Sequence, residues 1–122
     1  MTRLRLASLA AYAGDKLRPG GPLGPIPFGS GIPAAARARN AVYVVCAWSG
    51  QVLYVGSTTI GVRSRFLQHL RNQPKTLDWS TVYIIPLTDD TSVADVRRIE
   101  GRVGLAAAPL RNRALPRLAA RR

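Results

Sequence analysis

Five side chains in this 122-residue sequence have the types and spacing to do chemistry together: Tyr43, Tyr54, Arg65, His69 and Glu100. Tyr43 and Tyr54 flank a Ser49-Gly50 pair, a tight-turn signal between two β-branched, aromatic runs. With a two-residue loop there, Trp48 faces Gln51, Val45 faces Tyr54 and Tyr43 faces Gly56. That register sets both tyrosines on one face as diagonal neighbours, roughly 7–8 Å apart at the backbone, with open space above Gly56. A three-residue loop would change the parity and throw them to opposite faces. Arg65 and His69, four residues apart, share one face of a helix at the border of a Val62, Phe66, Leu70 stripe. Glu100 is the sole glutamate of the chain, and it falls in the seam Val93, Val96, Glu100, Val103, Ala107, where the helical period asks for an apolar residue. A carboxylate in such a place calls for a metal, a cation or water at a cleft. Each feature alone also has an ordinary explanation: half-buried strand packing, a solvated helix edge, a carboxylate at the stripe's border.

The elements that must position these groups follow from the pattern. Residues 41–48 (AVYVVCAW) and 51–56 (QVLYVG) predict a β-hairpin. Ile60 to Arg71 has helical spacing, with Leu67 beside the Val62, Phe66, Leu70 stripe and Pro74 as its terminator. Thr81 to Leu87 (TVYIIPL) predicts a third strand, in which Pro86 marks an end or an exposed edge. Ser92 with Asp95 is a capping-box variant opening a second helix through Val93, Val96, Ile99 and Val103. The order β-β-α-β-α predicts an α+β domain, a small three-stranded sheet with flanking helices.

The flanks differ in texture. Residues 1–18 predict a short basic helix around Leu4, Leu6, Leu9 and Ala10. From Pro19 to Pro33, five prolines and five glycines in 15 residues predict no regular structure, but a linker or surface-wrapping arm. The chain thus divides into a basic Pro/Gly-rich arm (1–40), a central domain (41–112) and an Arg-rich tail (113–122). Formal net charge is +12, and 16 of the 18 basic residues are arginine. Residues 1–40 and 111–122 each carry net +5, whereas 41–110 carries only +2. Such a balance implies a polyanionic partner, since guanidinium forks match phosphate oxygens. The single Cys46 excludes an internal disulfide framework, no Cys/His cluster suits a structural zinc, and no apolar run approaches the roughly 20 residues of a membrane span. Residues 1–14 superficially resemble a targeting peptide, but the apolar run Leu6 to Ala13 is short and broken by Ser8, so a cytoplasmic, nucleoid-associated location is expected.

Taken together, the motifs resemble the GIY-YIG nuclease family. Ala41-Val42-Tyr43 matches its first motif and Tyr54-Val55-Gly56 its second, followed by the common Ser57-Thr58. Arg65 with His69 matches the helix arginine and the residue four places on, Glu100 the metal-binding glutamate, and Pro109-Leu110-Arg111-Asn112 the closing signature. The resemblance spans 41–112. Ala41 departs from the usual Gly, and Arg63 rivals Arg65 because the loop after Gly56 is one residue longer than the commonest spacing.

The resemblance implies hydrolysis of DNA phosphodiester bonds with one Mg²⁺ or Mn²⁺ per site, held by Glu100. It implies that Tyr43 or Tyr54 acts as base, that Arg65 clamps the scissile phosphate, and that His69 orients the nucleophile or shuttles a proton. Gly56, Ser57, Arg63 and Arg71 would bind substrate, and Asn112 would fix local backbone. DNA is the expected partner with RNA as the alternative, no membrane is expected, and protein partners would dock on the N-terminal arm. The competing reading keeps the fold without catalysis, as a nucleic-acid-binding or assembly subunit of a larger complex. A nuclease toxin or a mobile-element module ranks third.

Overall fold

The computed structural model describes residues 6–29, 37–71 and 76–107. Its architecture is α+β, a four-stranded antiparallel sheet with helices on both faces. The strands are β1 (Leu23–Pro27), β2 (Asn40–Cys46), β3 (Val52–Thr58) and β4 (Thr81–Leu87), in spatial order β1-β4-β2-β3. Helix α1 (Leu6–Ala10) runs on into a 3-10 helix (Ala11–Lys16), α2 is Val62–Arg71 and α3 is Val93–Ala107. Among the described residues no helix is long and apolar enough to cross a membrane.

Strand β2 is buried along its whole length, as its run of β-branched residues requires between two neighbours. Its alternate side chains feed two cores. Val42, Val44 and Cys46 join Val55, Ile85 and Leu87 beneath α3, where Val96, Ile99 and Val103 complete the layer. Ala41, Tyr43 and Val45 face the other way, against Val62 and Phe66 of α2 and against Trp79. Burial of each such aliphatic side chain contributes roughly 1.5–3 kcal/mol. Asn40 is buried at the start of β2, and its amide reaches the carbonyls of Thr88, Asp89 and Thr91 at 3.2–3.3 Å. Those bonds fix the loop that launches α3. Ser92 caps that helix by accepting the Asp95 N–H at 3.1 Å, while the Asp95 carboxylate turns to Arg98 at 2.6 Å instead of closing the capping box.

Several expectations need correction. The sheet has four strands, not three, because Leu23–Pro27 pairs with β4 inside the stretch expected to hold no regular structure. Prolines are tolerated there because β1 is the outermost strand and pairs on one side. An irregular register between Leu23 and Ile26 also removes the alternation that would have advertised a strand. The arm does wrap a surface, and the surface is the edge of β4. Pro86 lies inside the sheet, paired with Ala41. Its carbonyl accepts the Arg18 N–H at 2.9 Å on the side away from β2, so its missing N–H falls where β1 has already ended.

The β2–β3 turn has three residues, not two. Ala47 N–H donates to Gln51 O and Gly50 N–H to Ala47 O, both at 2.9 Å, with Gly50 at φ +92°, which glycine adopts without strain. The parity change is cancelled at once. Register shifts between the pairs Val45↔Tyr54 and Cys46↔Val52, leaving Leu53 as the additional residue, so Leu53 and Tyr54 both reach the α2 side. Tyr43↔Gly56 and Val45↔Tyr54 pair as expected. In the helices, Ile60 precedes α2 and is exposed, Leu67 faces solvent, and Val93 is exposed instead of joining the α3 seam. Leu4, Pro74 and the 109–112 signature lie outside the described residues.

Candidate active site

Strand β3 is a sheet edge, and residues of the helices on both faces, Arg65 of α2 and Arg97 and Glu100 of α3, line one space at its end. Tyr54 and Gly56 look toward α2, whereas Ser57 looks toward α3 and donates a hydrogen bond to Glu100 Oε1. Between them opens a cavity of about 410 Å³. Tyr54, Gly56, Ser57, Arg65, Arg97 and Glu100 are among its walls.

Below this cavity lies a buried relay. Tyr43 is fully buried, with its hydroxyl 2.6 Å from His69 Nε2. Arg65 Nε points at the same hydroxyl from 3.4 Å. A guanidinium can only donate, so the Tyr43 oxygen accepts from Arg65, while toward His69 the hydroxyl donates or accepts according to the imidazole tautomer. Burial, and then the neighbouring Tyr54, push the Tyr43 phenol well above its usual pKa despite Arg65. Tyr43 therefore stays a neutral phenol near pH 7. Burial disfavours the Arg65 cation, but the Tyr43 and Tyr54 hydroxyls facing it outweigh that and raise its pKa further. A third contact, Nη1 to Gln68 Oε1 at 3.0 Å, holds the far end of the guanidinium.

Aromatic packing fixes the two tyrosines. Their ring centroids are 6.2 Å apart, and Tyr43 sits edge-on to Phe66 at 5.2 Å. Trp79 stacks on Tyr54 at 5.4 Å and lies 4.9 Å from His69. Gly56 is required by close approach, since a Cβ there would stand 2.6 Å from the Tyr43 hydroxyl and 2.7 Å from the Tyr54 ring.

The expected residues separate into three groups. Tyr54, Gly56, Ser57, Arg65 and Glu100 line the cavity. Tyr43 and His69 sit beneath it, joined to it through Arg65. Arg63 and Arg71 are exposed on α2, away from the cavity lining, which favours Arg65 over its rival. Asn112 lies outside the described residues. Glu100 is half-buried at the border of the seam, where Val96, Ile99 and Val103 provide the core contacts. Sequence reasoning missed Arg97 and Trp79. Arg97 precedes Glu100 by three on α3 and so shares its face, a signal that was present. Trp79 stands in the approach to β4, outside any periodic segment, and carried none.

Comparison with family models, curated proteins and solved structures finds no match to this chain. The functional reading consequently stands on the site itself and on the motif resemblance.

Proposed function

We propose that this chain is a divalent-cation-dependent endonuclease of the GIY-YIG type that hydrolyses phosphodiester bonds in DNA. One observation carries the reading. Tyr54 of β3, Arg65 of α2 and Glu100 of α3 reach a single cavity around Gly56, so a phenol, a guanidinium and a carboxylate meet where one phosphate can be held. A cytoplasmic, nucleoid-associated setting accords with such a substrate.

The donor set suits a hard, mostly hydrated cation. Glu100 is the carboxylate of the cavity, its partner among the described residues is a neutral hydroxyl, and no basic side chain there pairs with it. One carboxylate with room for water is how Mg²⁺ is commonly held, and Mn²⁺ accepts the same ligands. Glu100 would hold one such ion, with Ser57 orienting the carboxylate. When bound, the ion supplies positive charge beside the scissile phosphate and makes water more acidic.

The remaining work belongs to the chain. Arg65 is already held by Tyr43 and Gln68, so its fork can meet the growing negative charge on the phosphate without reorganising. Tyr54 is the phenol with access to the cavity, and as its phenolate it would take the proton of the attacking water while solvent protonates the leaving oxygen. Tyr43, sealed and neutral, acts as a positioning residue, with His69 holding its hydroxyl toward Arg65.

The test uses the full chain with supercoiled, linear and single-stranded DNA, in Mg²⁺ or in EDTA. Mg²⁺-dependent cleavage of at least one form is expected. Glu100→Ala should abolish it and leave the melting temperature within about 2 °C, since the seam's core contacts are made by its neighbours. Intact DNA in every condition, with DNA bound in a gel shift, would replace the nuclease by the binding-subunit reading.

A further inference from the structure

Three charged side chains line the cavity: Arg65, Arg97 and Glu100. Two are accounted for by neighbours, Arg65 by Tyr43 and Gln68, and Glu100 by Ser57. Arg97 has no acidic partner among the described residues. The contrast with the next residue is informative. Arg98 is not among the cavity's lining residues and is tied to Asp95 at 2.6 Å, whereas Arg97, one turn before Glu100, lines the cavity and makes no ion pair among the described residues. The local balance of two guanidinium groups against one carboxylate is positive, and a cation on Glu100 would make it more so.

Placement gives this charge a direction. Arg65 arrives from the helix on one face of the sheet and Arg97 from the helix on the other, with Gly56 and Ser57 of the edge strand between them. Two guanidinium groups on opposite sides of one strand end suit two phosphates of a continuous backbone better than one isolated anion. We propose that Arg97 binds a nucleic-acid backbone phosphate flanking the one held by Arg65, so that the substrate strand crosses the end of β3 from the α2 side to the α3 side. The assignment rests on the nucleic-acid reading above and names a contact that no sequence motif supplied.

Binding in EDTA tests this without cleavage. The full chain and its Arg97→Ala, Arg97→Lys and Arg98→Ala variants are titrated into a fluorescent 20-base-pair duplex over a series of NaCl concentrations. Arg97→Ala should weaken binding at least about fivefold and lower the log–log salt slope by about 0.9, the contribution of one neutralised phosphate. Arg97→Lys should keep the slope, and Arg98→Ala should match the parent chain. In Mg²⁺, Arg97→Ala should raise KM and keep kcat, as expected for a contact equally strong in the ground and transition states. Arg97→Ala behaving like Arg98→Ala overturns the assignment, even if the parent chain cleaves DNA. A parent chain that binds with the Arg97-dependent slope but never cleaves supports the assignment and removes the nuclease. Failure of the parent chain to bind the duplex overturns both.

Discussion

Adding one methyl group at Gly56 tests the geometry of the site most directly. A Cβ would lie 2.6 Å from the Tyr43 hydroxyl and 2.7 Å from the Tyr54 ring, where ordinary contact begins near 3.4 Å, so the two side chains must retreat by about 0.7–0.8 Å. Neither has room. Tyr43 is fully buried, edge-on to Phe66 at 5.2 Å and hydrogen-bonded to His69 at 2.6 Å. Tyr54 is backed by Trp79 at 5.4 Å. Overpacking of this kind costs about 1–3 kcal/mol. Loss of glycine's freedom in the unfolded chain returns about 0.4–1 kcal/mol, so the clash wins. For a chain of this length the net corresponds to a fall in melting temperature of roughly 2–10 °C. The easier retreat for Tyr54 is into the cavity, and a displacement near 1 Å can cost on the order of 100-fold in rate. Calorimetry and the plasmid-cleavage assay on Gly56→Ala read the two effects separately. A variant that melts within about 1 °C of the parent and cleaves at the same rate would refute the close approach of Gly56 to both tyrosines.

Two further outcomes follow from the same structure. Arg65→Ala should lower turnover on the order of 10²–10³-fold, as loss of a preorganised donor to the transition state does, whereas Arg63→Ala should stay within about threefold in the cleavage assay. The reverse order would show that the wrong arginine of α2 has been assigned. Burial pushes the Cys46 thiol from its usual value of 9.0 up to about 11, so the unfolded chain loses this proton first and stability should fall as pH rises from about 9 to about 11. Denaturant midpoints across that range should decline less steeply in Cys46→Ala. Tyr43, also shifted upward by burial, contributes the same sign of loss above about pH 10 in both proteins.

The parts of the fold legible in the sequence are those with a single dominant period. Strand β4 spans the Thr81–Leu87 run read from its composition, and Ser92 caps α3 as its spacing with Asp95 suggests. The facing tyrosines were legible too, but by two departures that cancel. The loop has one residue more than expected, and the bulge at Leu53 restores the parity that this loop would have reversed. Had the hairpin lacked its bulge, the same Ser-Gly signal would have placed Tyr54 on the wrong face. Strand β1 was not legible because its pairing depends on the vacant edge of β4, a tertiary fact that outweighs the local preference of prolines and glycines for irregular backbone. Val93 fell outside the core because the helix begins there, a turn before the sheet can cover it.

That vacant edge also links the arm to the site. Phe28, just past β1, packs against Trp79 at 5.0 Å and Phe66 at 5.8 Å, and Trp79 in turn backs Tyr54 and His69. At the other end of the arm, Leu9, Ala10 and Ala13 enter the core beneath α3. The sequence suggests separating charge from chemistry by cutting, since residues 1–40 carry net +5 and the span 41–110 only +2. The packing argues against the knife. Deleting the arm would remove five core side chains (Leu9, Ala10, Ala13, Ile26 and Ala38), one strand and the Phe28 ring that backs Trp79, so lost binding and lost folding would arrive together. Charge is separable by substitution, because Lys16, Arg18 and Arg39 belong to neither buried cluster. Arg18 anchors the arm through its backbone N–H, which glutamine would preserve. Replacing those three with glutamine leaves the aromatic and aliphatic contacts in place, so a change in the salt slope of DNA binding would then report on the arm's charge.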